Sequence, residues 1–399
     1  APEGPTAAAP QAPLAPNTPA AAEDDGDDAH PMATVPLTPQ TGAKVSPEWR
    51  RALSSLQTSR GAVLASRVDR RATTTMRADV QEAAENILKD YDVPAGAVVV
   101  MEPRTGRILA ATGFSEDGQH GRELALLPVA PAASVFKIVT GAALLEKGVS
   151  AEHQVCFSGG KRRVRSRDLK ANANRDRHCA TFAQAMAKSA NIPFARMTDE
   201  FLSSSDLTRW ASRFLFNTNL PLDVPASPAR IPANPGIELA ATGAGFGDVR
   251  MSALHGAMLV SAVANDGVMP VPVLWEGDAP KPGHRVMDAR AAAALQDMLE
   301  MTVTEGTAKR AFRERRRYAL GDIAAAGKTG SLAEQGPFRD YSWFVGYAPA
   351  DKPTVAVSVF VMNHAQWRIR ASYVGREVLK TALVKGHKPY RPTLDVARR

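Results

Sequence analysis

Apolar residues recur along this chain with two different periods, and the change between them divides it. Val80, Ala83, Ile87 and Leu88 fall three and four apart, the spacing of a helix with one buried face, capped at Asp79. Thr73 to Met76, just upstream, is β-branched and predicts a strand. Residues 95–101 are continuously apolar, Pro103-Arg-Thr-Gly106 supplies turn residues, and 107–111 runs apolar again, which predicts a hairpin. Residues 113–121 are a polar loop. Helical spacing then takes over. Val135, Ile138, Val139, Ala142 and Leu145 mark one helix. Pro128 and Pro131 stand upstream, where a helix can begin but not extend backward, and Gly148 is its C-cap. Further helices are predicted over 181–187, 207–216, 251–264 and 289–304, with 220–235 as proline-rich loop and 243–247 as a glycine-dense turn. Strand-like runs return at 323–330, 341–347 and 354–362, and 371–384 is an amphipathic helix. Strands near both ends with helices between predict one sheet assembled from the two terminal parts, with a helical lobe inserted in it.

Residues 1–71 lack this patterning. Pro and Ala dominate to about residue 45, with an acidic knot at Glu23, Asp24, Asp25, Asp27 and Asp28. Such a stretch cannot bury enough apolar surface to fold, so a largely disordered stalk is expected, with a short helical piece near Trp49 to Leu56. Order is expected from about Ala72, giving a folded domain over 72–385 and a basic tail over 386–399. Of the 399 residues 44% are hydrophobic, enough for a sizeable core, and the net charge is +8. A basic balance suits an anionic surface. No apolar run approaches the roughly 18 residues of a membrane span. The first residue is Ala, and no signal-peptide pattern is present, so the chain reads as a processed or trimmed export product, and whether a removed N-terminal segment anchors it to a membrane stays open.

Two cysteines, Cys156 and Cys179, bracket a segment with Lys161, Arg162, Arg163, Arg165, Arg167, Lys170, Arg175 and Arg177. A bond between the cysteines would close a loop worth about 3 kcal/mol in the chain-entropy model and would favour an oxidising compartment. The plain reading of the arginines is a solvated loop. The functional one is contact of loop 161–177 with an anionic cell-envelope surface.

The candidate chemistry begins at Ser134-Val-Phe-Lys137. Ser134 falls in the first turn of a buried helix, and residues three apart share a face, so the Lys137 amine can reach the Ser134 hydroxyl. An amine that has lost its proton can serve an alcohol as base. The spacing alone is cheap: a chain this long holds roughly one by chance, and Ser158-Gly-Gly-Lys161 is a second instance, read as loop. Other motifs fail. Gly327-Lys328-Thr329 lacks the earlier glycine of a phosphate loop, whose place Asp322 takes. No strand leads into Gly243, Gly245 and Gly247, so they make no dinucleotide fingerprint. The eight histidines form no pair at metal spacing, and no cofactor is expected. The basic cluster 309–317 is read as solvated rather than as a nucleic-acid surface.

Three elements in order, Ser134-Val-Phe-Lys137, Ser189-Ala-Asn191 and Lys328-Thr-Gly330, resemble the transpeptidase domain of penicillin-binding proteins. The flanks 97–110, Gly306-Thr-Ala and 341–349 share the resemblance, which runs from about Thr73 to about Leu383. It implies an α/β fold of the α+β type: a mainly antiparallel sheet flanked by helices, with an inserted all-helical lobe, as in β-lactamases and transpeptidases. It also implies roles. Ser134 attacks the carbonyl between two D-alanines of a peptidoglycan stem peptide, Lys137 takes its proton, and Ser189 relays a proton to the leaving amine. Asn191 holds substrate amide and Lys137. Lys328, Thr329, Gly330 and Ser331 line the strand that receives the terminal carboxylate of substrate or β-lactam, and the N–H groups of Ser134 and Ser331 form the oxyanion hole. The implied setting is periplasmic or otherwise extracytoplasmic. The pattern departs at Ala244, where the family often has a larger or amide residue. A D,D-carboxypeptidase, a serine β-lactamase and a penicillin sensor without turnover stay open as alternatives. The β-lactamase reading lacks a Glu-x-x-Leu-Asn segment between Asn191 and Lys328.

Overall fold

The computed structural model describes residues 44–118, 120–159, 163–315, 317–335, 338–365, 369–384 and 386. The stalk up to residue 43, Lys161 and Arg162 of the basic loop, and almost all of the tail 386–399 lie outside them. Its centre is a five-stranded antiparallel sheet. Two strands, β4 (Ala95–Met101) and β5 (Ile108–Ser115), come from early in the chain. Three, β15 (Ala326–Gln335), β16 (Phe338–Ala348) and β17 (Val355–Asn363), come from late in it, and the order is β15-β16-β17-β4-β5. The terminal parts therefore meet at the β17–β4 seam, where Val359 pairs with Val98. Helices cover both faces. Val98, Val100, Val357 and Val359 pack with Val80, Ile87, Val374 and Leu379 of α2 (Ala78–Asp90) and α11 (Ala371–Leu383). Ala97, Val99 and Phe360 face the other way, into the larger core that contains α9 (Ala253–Ala264). Burial on both faces explains why β4 reads as an unbroken apolar run rather than an alternation. Gly256 lets α9 close on the sheet, since a Cβ there would lie 2.4 Å from Ser358 Oγ.

Between β5 and β15 lies the helical lobe. The bridge β6 (Ala130–Pro131) and a 3-10 turn, Ala133–Phe136, lead into α3 (Lys137–Glu146), which is buried from Lys137 to Leu144. The hairpin β7 (Gln154–Phe157) and β8 (His178–Thr181) encloses α4 (Ser166–Leu169). There follow α5 (Phe182–Ala187), α6 (Asn191–Phe201), α7 (Ser204–Arg213), β9 (Ala229–Arg230), α8 (Ile237–Gly243) and β10 (Asp248–Met251). After α9 come the paired bridges β11 (Val268–Met269) and β12 (His284–Arg285), α10 (Ala289–Thr304), and the pair β13 (Arg313–Glu314) and β14 (Arg317–Tyr318). The α+β class and the inserted lobe expected from the sequence are present.

Order begins well before Ala72. Helix α1 (Pro47–Ser54) is capped by Ser46 and buries Trp49, Ala52 and Leu53. It leads into the sheet β1 (Gln57–Ser59), β2 (Ala62–Arg67) and β3 (Arg70–Arg77). Among the links that hold this piece to the rest, the Trp275 indole donates to Glu48 at 3.0 Å, Arg67 pairs with Asp278 at 3.0 Å, Arg50 pairs with Glu123 at 3.0 Å, and Thr75 N–H donates to Leu274 O at 2.8 Å. The expected boundary thus falls inside β3. Its arginine-rich face and short strands hide the alternation that would have revealed it. Asp79 stands in the first turn of α2, not at its cap, and pairs with Arg77, the N-cap residue, at 2.6 Å. Helix α8 fills the gap between the expected loop 220–235 and the expected turn 243–247, where the sequence reading names no element; its short length carries little periodic signal. The cluster 309–317 is knit into the fold more than a solvated loop would be. Phe312 is fully buried, and Glu314 pairs with Arg376 and Lys380, both at 2.9 Å.

His255, on α9, is fully buried, and its Nε2 lies 2.7 Å from Phe214 O. Burial drives its pKa down to about 4, against a smaller opposing effect of that hydrogen bond. The folded state therefore favours neutral imidazole. The stability this confers is complete above the ordinary histidine pKa of about 6.5 and is lost as pH falls toward 4. We expect chemical denaturation to show about 3 kcal/mol less stability near pH 4 from this group alone. The His255→Gln variant, which keeps a donor for Phe214 O and does not titrate, should lack that contribution.

Candidate active site

Ser134 sits on a turn held from three sides. Ala132 N–H donates to Val249 O at 2.8 Å, the Trp343 indole donates to Pro131 O at 2.7 Å, and Arg250 reaches both Val129 O (2.6 Å) and the carboxylate of Glu334. Ala133, immediately before the serine, has φ +49°, an uncommon conformation for a residue with a side chain. Gly245 packs against it: φ there is +91°, and a Cβ would lie 2.5 Å from Ala133 O. The glycine turn 243–247 thus serves as a backing for the serine turn, and its glycines are needed for close approach.

The 3-10 turn runs directly into α3 and brings the Lys137 amine to 2.8 Å from Ser134 Oγ. The same nitrogen lies 2.8 Å from Asn191 Oδ1 and 2.6 Å from Ala244 O, and the Phe194 ring faces it at 5.5 Å. Lys137 is fully buried. Its pKa is held well below the ordinary lysine value, first by burial and then by repulsion from Lys328. The oxygens of Asn191 and Ala244 can only accept. A neutral amine spends its two hydrogens on them and turns its lone pair to the Ser134 hydroxyl, which then donates. The site is therefore arranged to hold the unprotonated amine facing an alcohol.

Ser189 and Asn191 come from the joint between α5 and α6. Thr181 caps α5 in a reciprocal box with Gln184, Ser189 closes it with φ +53°, and Asn191 opens α6. Lys328, fully buried on β15, donates to Ser189 Oγ and to Thr329 O, both at 2.9 Å. β15 is the edge strand of the sheet, and Gly330 lets it lie against the serine turn. A Cβ on Gly330 would stand 3.3 Å from Val135 and 3.4 Å from Ala133 side chains, contact distances that leave no room for more. Ser331 is exposed beyond it. All three sequence elements thus converge, from positions 134–137, 189–191 and 328–331.

Two members of the cluster carry no role in the sequence reading. Thr307 Oγ1 lies 2.5 Å from Thr329 Oγ1, and Thr307 N–H donates to Ala187 O at 3.1 Å, which ties the loop after α10 to the site. Ala244 contributes a carbonyl, which no side-chain pattern can announce. Gly306-Thr-Ala and the glycine turn mark these places in the sequence only as flanks.

Cys156 and Cys179 form a disulfide across β7 and β8. The hairpin they close is seated on α6 by Arg196, which donates to Asp168 O at 2.6 Å, to Lys170 O at 3.0 Å and to Cys156 O, and pairs with Asp176 at 2.8 Å. Burial favours the neutral Asp176 acid, but hydrogen bonds from Arg196 and Asn172 and the nearby cations outweigh it and hold its pKa below the ordinary value. Removing the arginine leaves a buried carboxylate and three carbonyls without their donor. Arg196→Met should cost about 3–5 kcal/mol by denaturation, and adding Asp176→Asn should recover part of it.

A sheet whose edge strand meets a buried Ser-x-x-Lys turn, with a helical lobe supplying the third element, defines a serine enzyme of the acyl-transfer type. The chain belongs to the penicillin binding protein transpeptidase domain family, whose model matches residues 96–382. It is 26% identical to a peptidoglycan D,D-transpeptidase, PbpA, of Mycolicibacterium smegmatis, over 78% of this chain and 72% of that protein. It is 25% identical to stage V sporulation protein D of Bacillus subtilis, over 74% of this chain and 49% of that one. Among solved structures, the D,D-transpeptidase domain of a peptidoglycan glycosyltransferase from Eggerthella lenta superposes with a TM-score of 0.65 at 26% identity, covering 79% of this chain and 83% of that one. Penicillin-binding protein A of M. tuberculosis, as an imipenem acyl-enzyme, shares the fold with a TM-score of 0.63 at 23% identity, covering 78% and 79%.

Proposed function

We propose that this chain is a peptidoglycan D,D-transpeptidase that works through a Ser134 acyl-enzyme and is acylated by penicillins at the same atom. The observation that carries the reading is the Lys137 amine, buried, depressed in pKa and 2.8 Å from Ser134 Oγ. Ser134 Oγ attacks the carbonyl carbon joining the two D-alanines and gives its proton to Lys137. The oxyanion rests on the N–H groups of Ser134 and Ser331, each worth roughly 3–4 kcal/mol in such sites. The proton passes through the Ser189 hydroxyl to the departing D-alanine nitrogen, and the C–N bond breaks. An acceptor amine then attacks the ester, returning the proton to Ser134 by the reverse route. Lys328, Thr329 and Ser331 bind the terminal carboxylate, and Asn191 orients the peptide amide. The names of the relatives support the substrate class, and the disulfide suits an oxidising, extracytoplasmic setting.

Intact-mass analysis after incubation with penicillin should show one covalent adduct, mapped to the peptide containing Ser134. Incubation with a stem peptide ending in D-Ala-D-Ala and an acceptor amine should release D-alanine with formation of the cross-linked product. Release without cross-linking would assign carboxypeptidase activity. An adduct without any release would assign a sensor, and rapid hydrolysis of the penicillin a β-lactamase.

A further inference from the structure

The segment between the two cysteines is unused by the chemistry above, yet it is built with care. Residues 163–178 carry Arg163, Arg165, Arg167, Lys170, Arg175 and Arg177, against two carboxylates. Both carboxylates point inward. Asp168 is 1% exposed and accepts from Arg165 N–H at 2.9 Å, and the Asp176 side chain is 3% exposed and paired with Arg196. Arg165, Arg167, Lys170 and Arg177 are exposed, and among the described residues none of these four is in an ion pair. The segment is braced from beneath by the disulfide, by the β7–β8 pairing and by the bonds of Arg196. Asn172 also turns it, accepting from the N–H groups of Asn174 and Arg175. A braced loop loses little conformational freedom when it binds.

We infer that this face is a docking surface for the carboxylate-bearing peptide stems of the peptidoglycan polymer itself, at a distance from the bond being exchanged. The inference rests on the substrate class proposed above. Guanidinium groups match carboxylates in a planar, bidentate fork, and three of these four cations, Arg165, Arg167 and Arg177, are arginines. The other exposed residues here are Arg163, Ser166, Ala171, Asn172, Ala173, Asn174, His178 and Cys179. None is a large apolar or aromatic side chain of the kind that inserts into a lipid interface, so a bilayer is the poorer occupant. A polymer held here presents its next stem to the cleft at raised effective concentration.

The test uses the full chain and protein-free insoluble peptidoglycan. Wild type should co-sediment at low salt and be released as salt rises. The Arg165→Glu, Arg167→Glu, Lys170→Glu, Arg177→Glu variant should bind about tenfold or more weakly, because four attractions become repulsions. Its rate of labelling by fluorescent penicillin should match wild type, which shows that it is folded and its cleft intact. Peptidoglycan whose carboxylates have been capped with a neutral amine should lose wild type as well. Equal sedimentation of variant and wild type, or binding indifferent to capping, overturns the inference. So does binding confined to anionic phosphatidylglycerol vesicles, which would assign the face to membrane. A wild type that sediments but takes no penicillin would sink the enzyme reading and leave the docking result standing.

Discussion

Replacing Lys137 by alanine should slow acylation by penicillin roughly 10³-fold, within the 10²–10⁴ that a positioned general base contributes. The argument is stoichiometric. Ser134 Oγ must lose a proton as it attacks, and the nitrogen 2.8 Å away is held by Asn191 and Ala244 so that its lone pair faces that hydroxyl. Lys137→Arg should be about as slow, although it keeps the length and the hydrogen-bonding capacity. A guanidinium stays protonated at any working pH and has no lone pair to offer. Time-resolved labelling with a fluorescent penicillin measures both variants. An arginine variant that acylates near the wild-type rate would place the base elsewhere.

Lys328→Gln should lower acylation efficiency by roughly 10²–10³-fold and also change its pH profile. The first effect follows from loss of a buried cation facing the ligand carboxylate, a class of contact worth about 2–5 kcal/mol. The second follows from Lys137. Its pKa is lowered by burial and additionally by Lys328. The amine is active only when unprotonated, so acylation rises with pH through the pKa of Lys137. Removing the neighbouring charge raises that pKa, and the ascending limb must move to higher pH. A penicillin methyl ester, which has no carboxylate charge, should react with variant and wild type at rates much closer together. A variant whose limb stays in place would show that the two amines do not sense each other.

Much of this site could be read from the chain because its parts are local. Ser134 and Lys137 are three residues apart, and helical geometry alone brings their side chains together. The sheet strands and long helices are legible for a similar reason: the predicted α10 has the observed ends, and the predicted β16 and β17 match within a few residues, since α10 buries a periodic face and the two strands are nearly unbroken buried runs. Thr307 was not legible as a partner of Thr329, because the two meet only when the loop after α10 folds back on the edge strand. The 44–71 piece was missed as an ordered unit because its anchors, Trp275 and Asp278, lie some two hundred residues away.

The sequence by itself determined the alcohol, the amine, the order of the three motifs and the division into sheet and lobe, all of which depend on residue type and short-range spacing. Only the tertiary structure decided the protonation state of Lys137. That state depends on full burial and on the Lys328 charge brought in by β15. Desolvation and Coulomb interaction act through space, and the groups that exert them here come from segments far apart along the chain.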